Sequence, residues 1–198
     1  MRTAFAPVVL LGVSVLAHAQ QPKDPAPRYG VAARVKQYPQ TTPRAALKLA
    51  LDRIDAGDYA YFVAHVLDPK FVDDVVIDRG RGFEAALERE LAQRRDLQIT
   101  NPDKVPLTDR VPLDPKEFRA LATVKARERG YKQLLKEIED KLKEDPQTIK
   151  DMRKLARDGT FAEAEPTASV AHESVKGRTL YFRKIGDRWF IENKQEEK

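Results

Sequence analysis

The sequence contains no cysteine, which excludes disulfide bonds, zinc–thiolate sites, iron–sulfur clusters and cysteine nucleophiles. A lipid-anchored cysteine at a processed N-terminus is excluded for the same reason. Neither sign of charge dominates, because the chain has 36 Lys and Arg residues and 31 Asp and Glu residues, which gives a net charge of +5. The two signs are interspersed along the chain, so we expect no nucleic-acid partner.

Residues 1–19 have the pattern of a signal peptide. A positively charged start precedes a mostly apolar run over 4–17, and Ala17-His18-Ala19 places small residues at the positions that a signal peptidase reads. The apolar run is shorter than the roughly 20 residues that a membrane-spanning helix needs. We therefore expect cleavage after Ala19, export to the periplasm or secretion, and no membrane span in the mature chain.

The rest of the chain is predicted to be a linker followed by one domain. Residues 20–41 contain four prolines and no helical or strand period, which is typical of a flexible linker. Residues 42–194 are expected to form a single α+β domain. Within it, a proline-rich stretch predicts a long irregular loop over 99–116, and the charged, narrowly amphipathic stretch 115–157 predicts a helical insertion.

Helix starts in this domain are marked by capping residues followed by a helical period. Thr42-Pro43 opens the first helix, Asp58 caps the second directly after Gly57, and Asp145-Pro146 opens another. Asp68-Pro69 restarts the chain, and the apolar run from Phe71 to Ile77 is expected to be a short helix or a buried strand, with the helix favoured. We expect Arg79-Gly80-Arg81-Gly82 to be a flexible turn before the next helix, because glycine is unfavourable inside a helix.

The C-terminus predicts an antiparallel hairpin, because Gly186-Asp187 is a two-residue turn signal between two strand-like runs. This turn fixes the cross-strand pairs as Ile185 with Arg188, Lys184 with Trp189, Arg183 with Phe190, Phe182 with Ile191, and Tyr181 with Glu192. The face expected to pack on the helices carries Leu180, Phe182, Trp189 and Ile191. The outer face carries Tyr181, Arg183, Arg188, Phe190 and Glu192.

Two of these stretches share a known pattern. One runs from Thr42-Pro43-Arg44-Ala45-Ala46 through an amphipathic helix to the break at Gly57-Asp58, and the other is the closing hairpin with Gly186, Trp189 and Ile191. Together they resemble the nuclear transport factor 2-like superfamily, whose fold is a cone-shaped α+β roll.

The resemblance covers roughly residues 42–95 and 161–194. It implies N-terminal helices packed on a curved antiparallel sheet, with 115–157 as a helical insertion where the family has further strands. It also implies a homodimer that pairs through the convex face of the sheet. No residue of this chain matches the catalytic constellations of the family's enzymes, so no catalytic residue, metal site or cofactor is predicted.

A pocket of such a roll is expected between the first two helices and the hairpin. Its lining candidates are Tyr59, Phe62, Phe182 and Trp189, which serve equally well as core residues. His172 is a further candidate, since it shares a strand face with Val170 and could act as a general base beside a carboxylate. Tyr61 and His65, four residues apart on the second helix, are expected to form a solvent-facing or rim pair, with a catalytic dyad as the alternative.

Three functions fit these observations. The first is a non-catalytic exported domain that binds an unknown small molecule or an envelope protein. The second is a cofactor-independent lyase or isomerase on the same roll, in which His172 or Tyr59 is the acid or base. The third is a protein-interaction module that acts through the charged helices of 115–157.

Overall fold

The computed structural model describes residues 24–194, so the predicted signal peptide lies outside the described residues. Within this range the chain is α+β, as predicted, with five α-helices and one four-stranded antiparallel sheet, and most of its residues are helical. The helices are α1 (Pro43–Asp55), α2 (Tyr59–His65), α3 (Pro69–Thr100), α4 (Pro115–Glu144) and α5 (Pro146–Asp158). The strands are β1 (Thr160–Ala164), β2 (Thr167–Ala171), β3 (Leu180–Ile185) and β4 (Arg188–Glu192).

The predicted helix caps are confirmed. The hydroxyl of Thr42 accepts a hydrogen bond from the backbone N–H of Ala45 at 3.1 Å, and the carboxylate of Asp58 accepts from the N–H of Tyr61 at 3.1 Å. Asp145 caps α5 in the same way. These oxygens satisfy backbone donors that have no partner within the helix, which fixes where each helix begins.

The predicted flexible turn at Arg79-Gly80-Arg81-Gly82 is wrong, because α3 runs without interruption from Pro69 to Thr100. Gly80 lies where α3 crosses α4, against Gly130 and the backbone of Ala126. Helix packing at this crossing therefore outweighs the weak helix propensity of glycine. After α3, the chain returns through two short 3-10 turns, Pro102–Lys104 and Leu107–Asp109, and α4 runs back antiparallel to α3.

The sheet has the order β1-β2-β3-β4, and every predicted pair of the β3–β4 hairpin is confirmed. On the predicted core face, Phe182, Trp189 and Ile191 are buried. The outer face is not uniformly exposed, because Phe190 is also buried, with the guanidinium of Arg188 5.0 Å from its ring centroid. The cone-shaped roll itself stays a prediction.

Most of the buried side chains form one core between α1, α2, α5 and the sheet. The segment predicted as a helical insertion contributes to this core through Tyr131 and Leu134 of α4 and through Met152 and Leu155 of α5. The far halves of α3 and α4 have a second, small cluster of Leu91, Val111, Phe118 and Ala122. The insertion is thus anchored at its base and extended at its tip.

Residues 28–40, which the sequence assigns to a flexible linker, lie against the helices; we call them the N-terminal strap. The guanidinium of Arg28 donates to the carbonyls of Ala64 at 2.8 Å and Pro69 at 3.0 Å, and pairs with Asp73 at 2.5 Å. The ring of Tyr29 stacks on Tyr131, with centroids 4.5 Å apart. Polar side chains that reach distant backbone carbonyls hold this segment, which explains its lack of a helical or strand period.

The other end of the strap is fixed to the edge of the sheet. Gln40 is 1% exposed, and its side-chain amide donates to the carbonyl of Trp189 at 2.9 Å, while the N–H of Trp189 donates to the carbonyl of Gln40 at 2.8 Å. The amide oxygen of Gln40 accepts from the guanidinium of Arg188. Backbone groups of Val66 and Asp68 form hydrogen bonds with the backbone of Ile191 farther along β4. The hydrogen-bonding groups of this edge strand are therefore paired with neighbouring segments rather than left open.

Candidate functional site

The five residues predicted to line a pocket do not share one. Phe182 and Trp189 are fully buried core residues, and Phe62 is nearly so. Tyr59 is half-buried and packs against the same core. Side chains therefore fill the space between the first two helices and the hairpin, and of these four residues Phe62 also lines a cavity.

That cavity is an open groove between α3, α4 and the ends of β3 and β4, with a volume of about 530 Å³; we call it the α3–α4 groove. The groove is elongated because its lining residues recur with the helical period along both helices. Phe71, Val75 and Arg79 follow one another at four-residue intervals along α3, and Ile138 and Leu142 do the same along α4. The groove is thus a strip between two helix faces, closed on one side by the sheet.

The walls of the groove are mainly apolar and half-buried. Six partly buried hydrophobic side chains line the groove, and they come from the two helices, the connection before α3 and strand β3. They are Leu67, Phe71, Val75, Ile138, Leu142 and Leu180. Phe62, Leu134 and Ile191, which belong to the buried core, also line it. A concave, preformed and mostly apolar cleft of this size is typical of small-molecule sites.

Charged residues lie along this apolar strip. Arg79 and Glu137 form an ion pair across the groove, with 2.5 Å between Nη2 and the carboxylate oxygen. Nη1 of Arg79 is buried and has no hydrogen-bond partner among the described residues. Lys141 and Lys194 also line the groove, and the ammonium group of neither residue forms an ion pair within residues 24–194.

Glu192, the other carboxylate on the groove, is already neutralised. It pairs with Arg183, whose guanidinium also lies 3.7 Å from the carboxylate of Asp68. Because Glu137 is paired with Arg79 in the same way, the charge left unbalanced along the groove is positive.

His172 lies elsewhere, in the turn that follows β2, and lines a different open cavity of about 690 Å³ with Asp158 and Arg178. Its Nδ1 accepts from the backbone N–H of Ser174 at 3.1 Å and lies 2.6 Å from the hydroxyl oxygen of that residue. Both contacts come from a residue two positions away, so they describe a local turn. The carboxylate of Asp158 is held by the guanidinium of Arg157, not by His172.

The prediction that Tyr61 and His65 face solvent is wrong, because both are only 2% exposed. The N-terminal strap covers this side of α2. Nε2 of His65 lies 2.8 Å from the carbonyl of Val31, and its ring centroid is 4.9 Å from that of Tyr61. Burial lowers the pKa of His65, and the nearby cations Arg188 and Arg28 lower it further.

Metal and membrane features are absent from the part of the chain that the structure describes. Residues 24–194 contain no group of three or more His, Asp or Glu side chains placed to hold a metal ion. No helix in this range is both long enough and apolar enough to cross a bilayer. The sequence prediction of no membrane span after the leader is consistent with this finding.

No protein-family model, curated protein or solved structure matches this chain. The resemblance to the nuclear transport factor 2-like superfamily thus stays a prediction from sequence. The function has to be argued from the groove, whose residues sequence reasoning did not bring together. The sequence signal for it is the narrow apolar stripe of the 115–157 stretch, which includes Ile138 and Leu142, and such a stripe also describes ordinary core.

Proposed function

We propose that this chain is an exported, non-catalytic binding protein that holds a small molecule with an elongated apolar body in the α3–α4 groove. The observation that carries the proposal is the row of six half-buried hydrophobic side chains along a preformed cleft. A ligand that covers such side chains removes apolar surface from water, at about 25 cal/mol for each Å². Rigid helix faces form the walls, so little ordering accompanies binding.

Binding is tested by titrating the protein with dansyl-labelled undecanoic acid and its methyl ester, both of which become fluorescent in an apolar site. Saturable binding of either probe supports the proposal. Absence of saturable binding for both contradicts it. The substitution Ile138→Gln places a polar amide in the groove and should weaken both probes by about tenfold or more.

The matched control is Ile185→Gln. Ile185 is an exposed isoleucine at the end of β3 that does not line the groove. This variant should bind both probes as the unaltered protein does. Thermal unfolding followed by circular dichroism confirms that both variants are folded before the affinities are compared.

A second candidate function has its own observation, the exposed apolar tip of the α3–α4 hairpin. Leu107 at this tip is 78% exposed, and Ile99 and Leu113 are mostly exposed as well. Single exposed apolar residues are ordinary, but several at the end of an extended hairpin favour a protein contact. A partner retained by the protein but lost from a Leu107→Ser, Leu113→Ser double variant would support this function.

Deletion of residues 115–157 is not a suitable test of that function. Tyr131 and Leu134, within this range, belong to the main core. The deletion would therefore unfold the domain and remove any partner contact indirectly. Changes confined to the tip leave the core contacts in place.

A further inference from the structure

The charges along the α3–α4 groove specify one end of the ligand. Resting on the function proposed above, we infer that the ligand carries a carboxylate and is a free long-chain organic acid, with its acid group at Arg79 and Lys141. The apolar strip over Val75, Ile138 and Leu142 then holds the chain of the ligand.

The guanidinium of Arg79 has unused hydrogen-bonding capacity. It has five N–H donors in a planar fork, and within residues 24–194 it donates from Nη2 to Glu137 alone. Its Nη1 is buried with no partner among the described residues. Because this atom has almost no accessible surface, the side chain of Arg79 has to turn toward the ligand to use it. An acceptor that then pairs with Nη1 removes the cost of an unpaired buried donor on a charged group. A carboxylate matches the fork of the guanidinium better than a neutral oxygen does.

The balance of charge along the groove supports the same inference. Glu137 and Glu192, the carboxylates on the groove, are paired with arginines. The ammonium of Lys141 has no such partner within residues 24–194, and Lys141 lies one helical turn beyond Glu137 on the same face of α4. An anionic ligand completes this arrangement, whereas a cationic ligand would be repelled.

The shape of the groove also suits such a ligand. The Arg79–Glu137 pair spans the two helices near the Gly80–Gly130 crossing, where the backbones are in contact. Away from this crossing, the strip continues past Val75 and Ile138 to Phe71 and Leu142, and Lys141 lies one turn along α4 from Glu137. A ligand with its acid near Arg79, within reach of the long side chain of Lys141, can extend its chain along this strip.

The test compares the dansyl-labelled acid with its methyl ester, which has the same apolar body without the charge. The unaltered protein should bind the acid about tenfold more tightly than the ester, because a charge-assisted hydrogen bond is lost in the ester. In Lys141→Gln this preference should fall several-fold, because the affinity for the acid falls much more than the affinity for the ester does. Raising the salt concentration should weaken binding of the acid more than binding of the ester.

The matched control is Lys136→Gln, which makes the same charge change on the same helix. The ammonium of Lys136 pairs with Asp140 and does not line the groove, so this variant should keep the preference for the acid. A double variant, Arg79→Gln with Glu137→Gln, removes the guanidinium without leaving Glu137 as an unpaired carboxylate. It should lose the preference for the acid as well.

Each outcome separates this inference from the function on which it rests. If acid and ester bind equally well, the acid inference is overturned while the apolar binding function stands. If the preference for the acid survives in both Lys141→Gln and the double variant, the placement of the acid is wrong. If neither probe binds, the binding function fails, and the inference fails with it.

Discussion

Gly130 of α4 lies directly against the backbone of α3 beside Gly80. A Cβ atom built on Gly130 would come within 2.6 Å of the carbonyl oxygen of Val76 and 2.9 Å of the N–H nitrogen of Gly80. Both neighbours are backbone atoms of a helix, so neither can move away independently. This contact sets the spacing of α3 and α4 and thereby the width of the groove between them.

Gly130→Ala should destabilise the protein, because its new methyl group forces α3 and α4 apart. We expect the free energy of unfolding to fall by about 1–3 kcal/mol or more, in the range of overpacked cores. Urea unfolding followed by circular dichroism measures the change. The dansyl-labelled acid should also bind less tightly, because the walls of the groove move with the two helices.

The control for this substitution is Gly82→Ala. Gly82 also lies inside α3, but a Cβ atom there would meet nothing within 4 Å. Alanine is the better helix former, so this variant should be more stable by about 0.5–1 kcal/mol. Equal effects of the two substitutions would show that the Gly80–Gly130 contact does not limit the approach of the helices.

Gln40→Ala should loosen the N-terminal strap from the sheet. It removes the donor to the carbonyl of Trp189 and the acceptor for the guanidinium of Arg188 at a site that is almost fully buried. The cost of leaving such groups unpaired is about 1–3 kcal/mol in the free energy of unfolding. Gln37→Ala, at an exposed position of the same strap, should change the stability little.

Limited proteolysis measures how firmly the strap itself is held against the rest of the protein. Trypsin should cut after Arg34 and Lys36 slowly in the intact protein, because the strap is held at both ends. Cutting should become faster in Gln40→Ala. Rapid cutting in the unaltered protein would instead support the flexible linker that the sequence predicts.

His65 should make the stability depend on pH. Its pKa is lowered in the folded state by burial, so below its ordinary value of 6.5 the unfolded chain binds more protons than the folded chain does. The free energy of unfolding should therefore be fully retained above this pH. It should fall as the pH drops from 6.5 toward the lower pKa of the folded state.

The substitution His65→Gln isolates this effect. The amide of Gln can still donate to the carbonyl of Val31 but does not titrate. Urea unfolding from neutral to mildly acidic pH should show a smaller loss of stability for His65→Gln than for the unaltered protein. An identical pH profile in His65→Gln and in the unaltered protein would contradict the assignment to His65.

Trp189, the single tryptophan of the chain, is a reporter for the core. It is 1% exposed and packs in the main cluster, with the ammonium of Lys184 5.9 Å from its ring centroid. Its fluorescence should be blue-shifted and resistant to quenching by iodide. Red-shifted emission with strong quenching would contradict a filled core between α1, α2 and the hairpin.

Local signals made part of this fold predictable from sequence. Thr42 and Asp58 cap helices because their side chains bond to backbone groups only three residues away. The register of the β3–β4 hairpin follows from Gly186, whose φ of +59° suits the two-residue turn. In each case the cause lies within a few residues of its effect.

The features that were missed depend on contacts between distant residues. Gly80 was interpreted as a turn because its partner Gly130 lies fifty positions away, and the pair is recognisable only once the helices cross. Gln40 has the composition of a linker but bonds to Trp189 and Arg188 at the other end of the chain. His65 is buried by the same segment, since the strap covers the face of α2 that the helical period predicts to be exposed to solvent.

The candidate site was missed for a related reason. Ile138 and Leu142 belong to the narrow apolar stripe that the sequence predicts within 115–157, but the sequence does not show that a cleft remains beside that stripe. The buried Phe182 and Trp189 were named as lining residues because aromatic side chains suit both a core and a pocket. Only the packing of α3, α4 and the sheet distinguishes the two roles.

Photo-crosslinking tests the binding function most directly, because it reports where a ligand lies. A long-chain fatty acid with a diazirine in its chain is added to the unaltered protein and irradiated, and the labelled residues are identified by mass spectrometry. The account predicts labels concentrated on the two helix segments 71–79 and 134–142, lost on competition with unlabelled acid. Labels scattered over the surface, or concentrated in the His172 cavity, would contradict it.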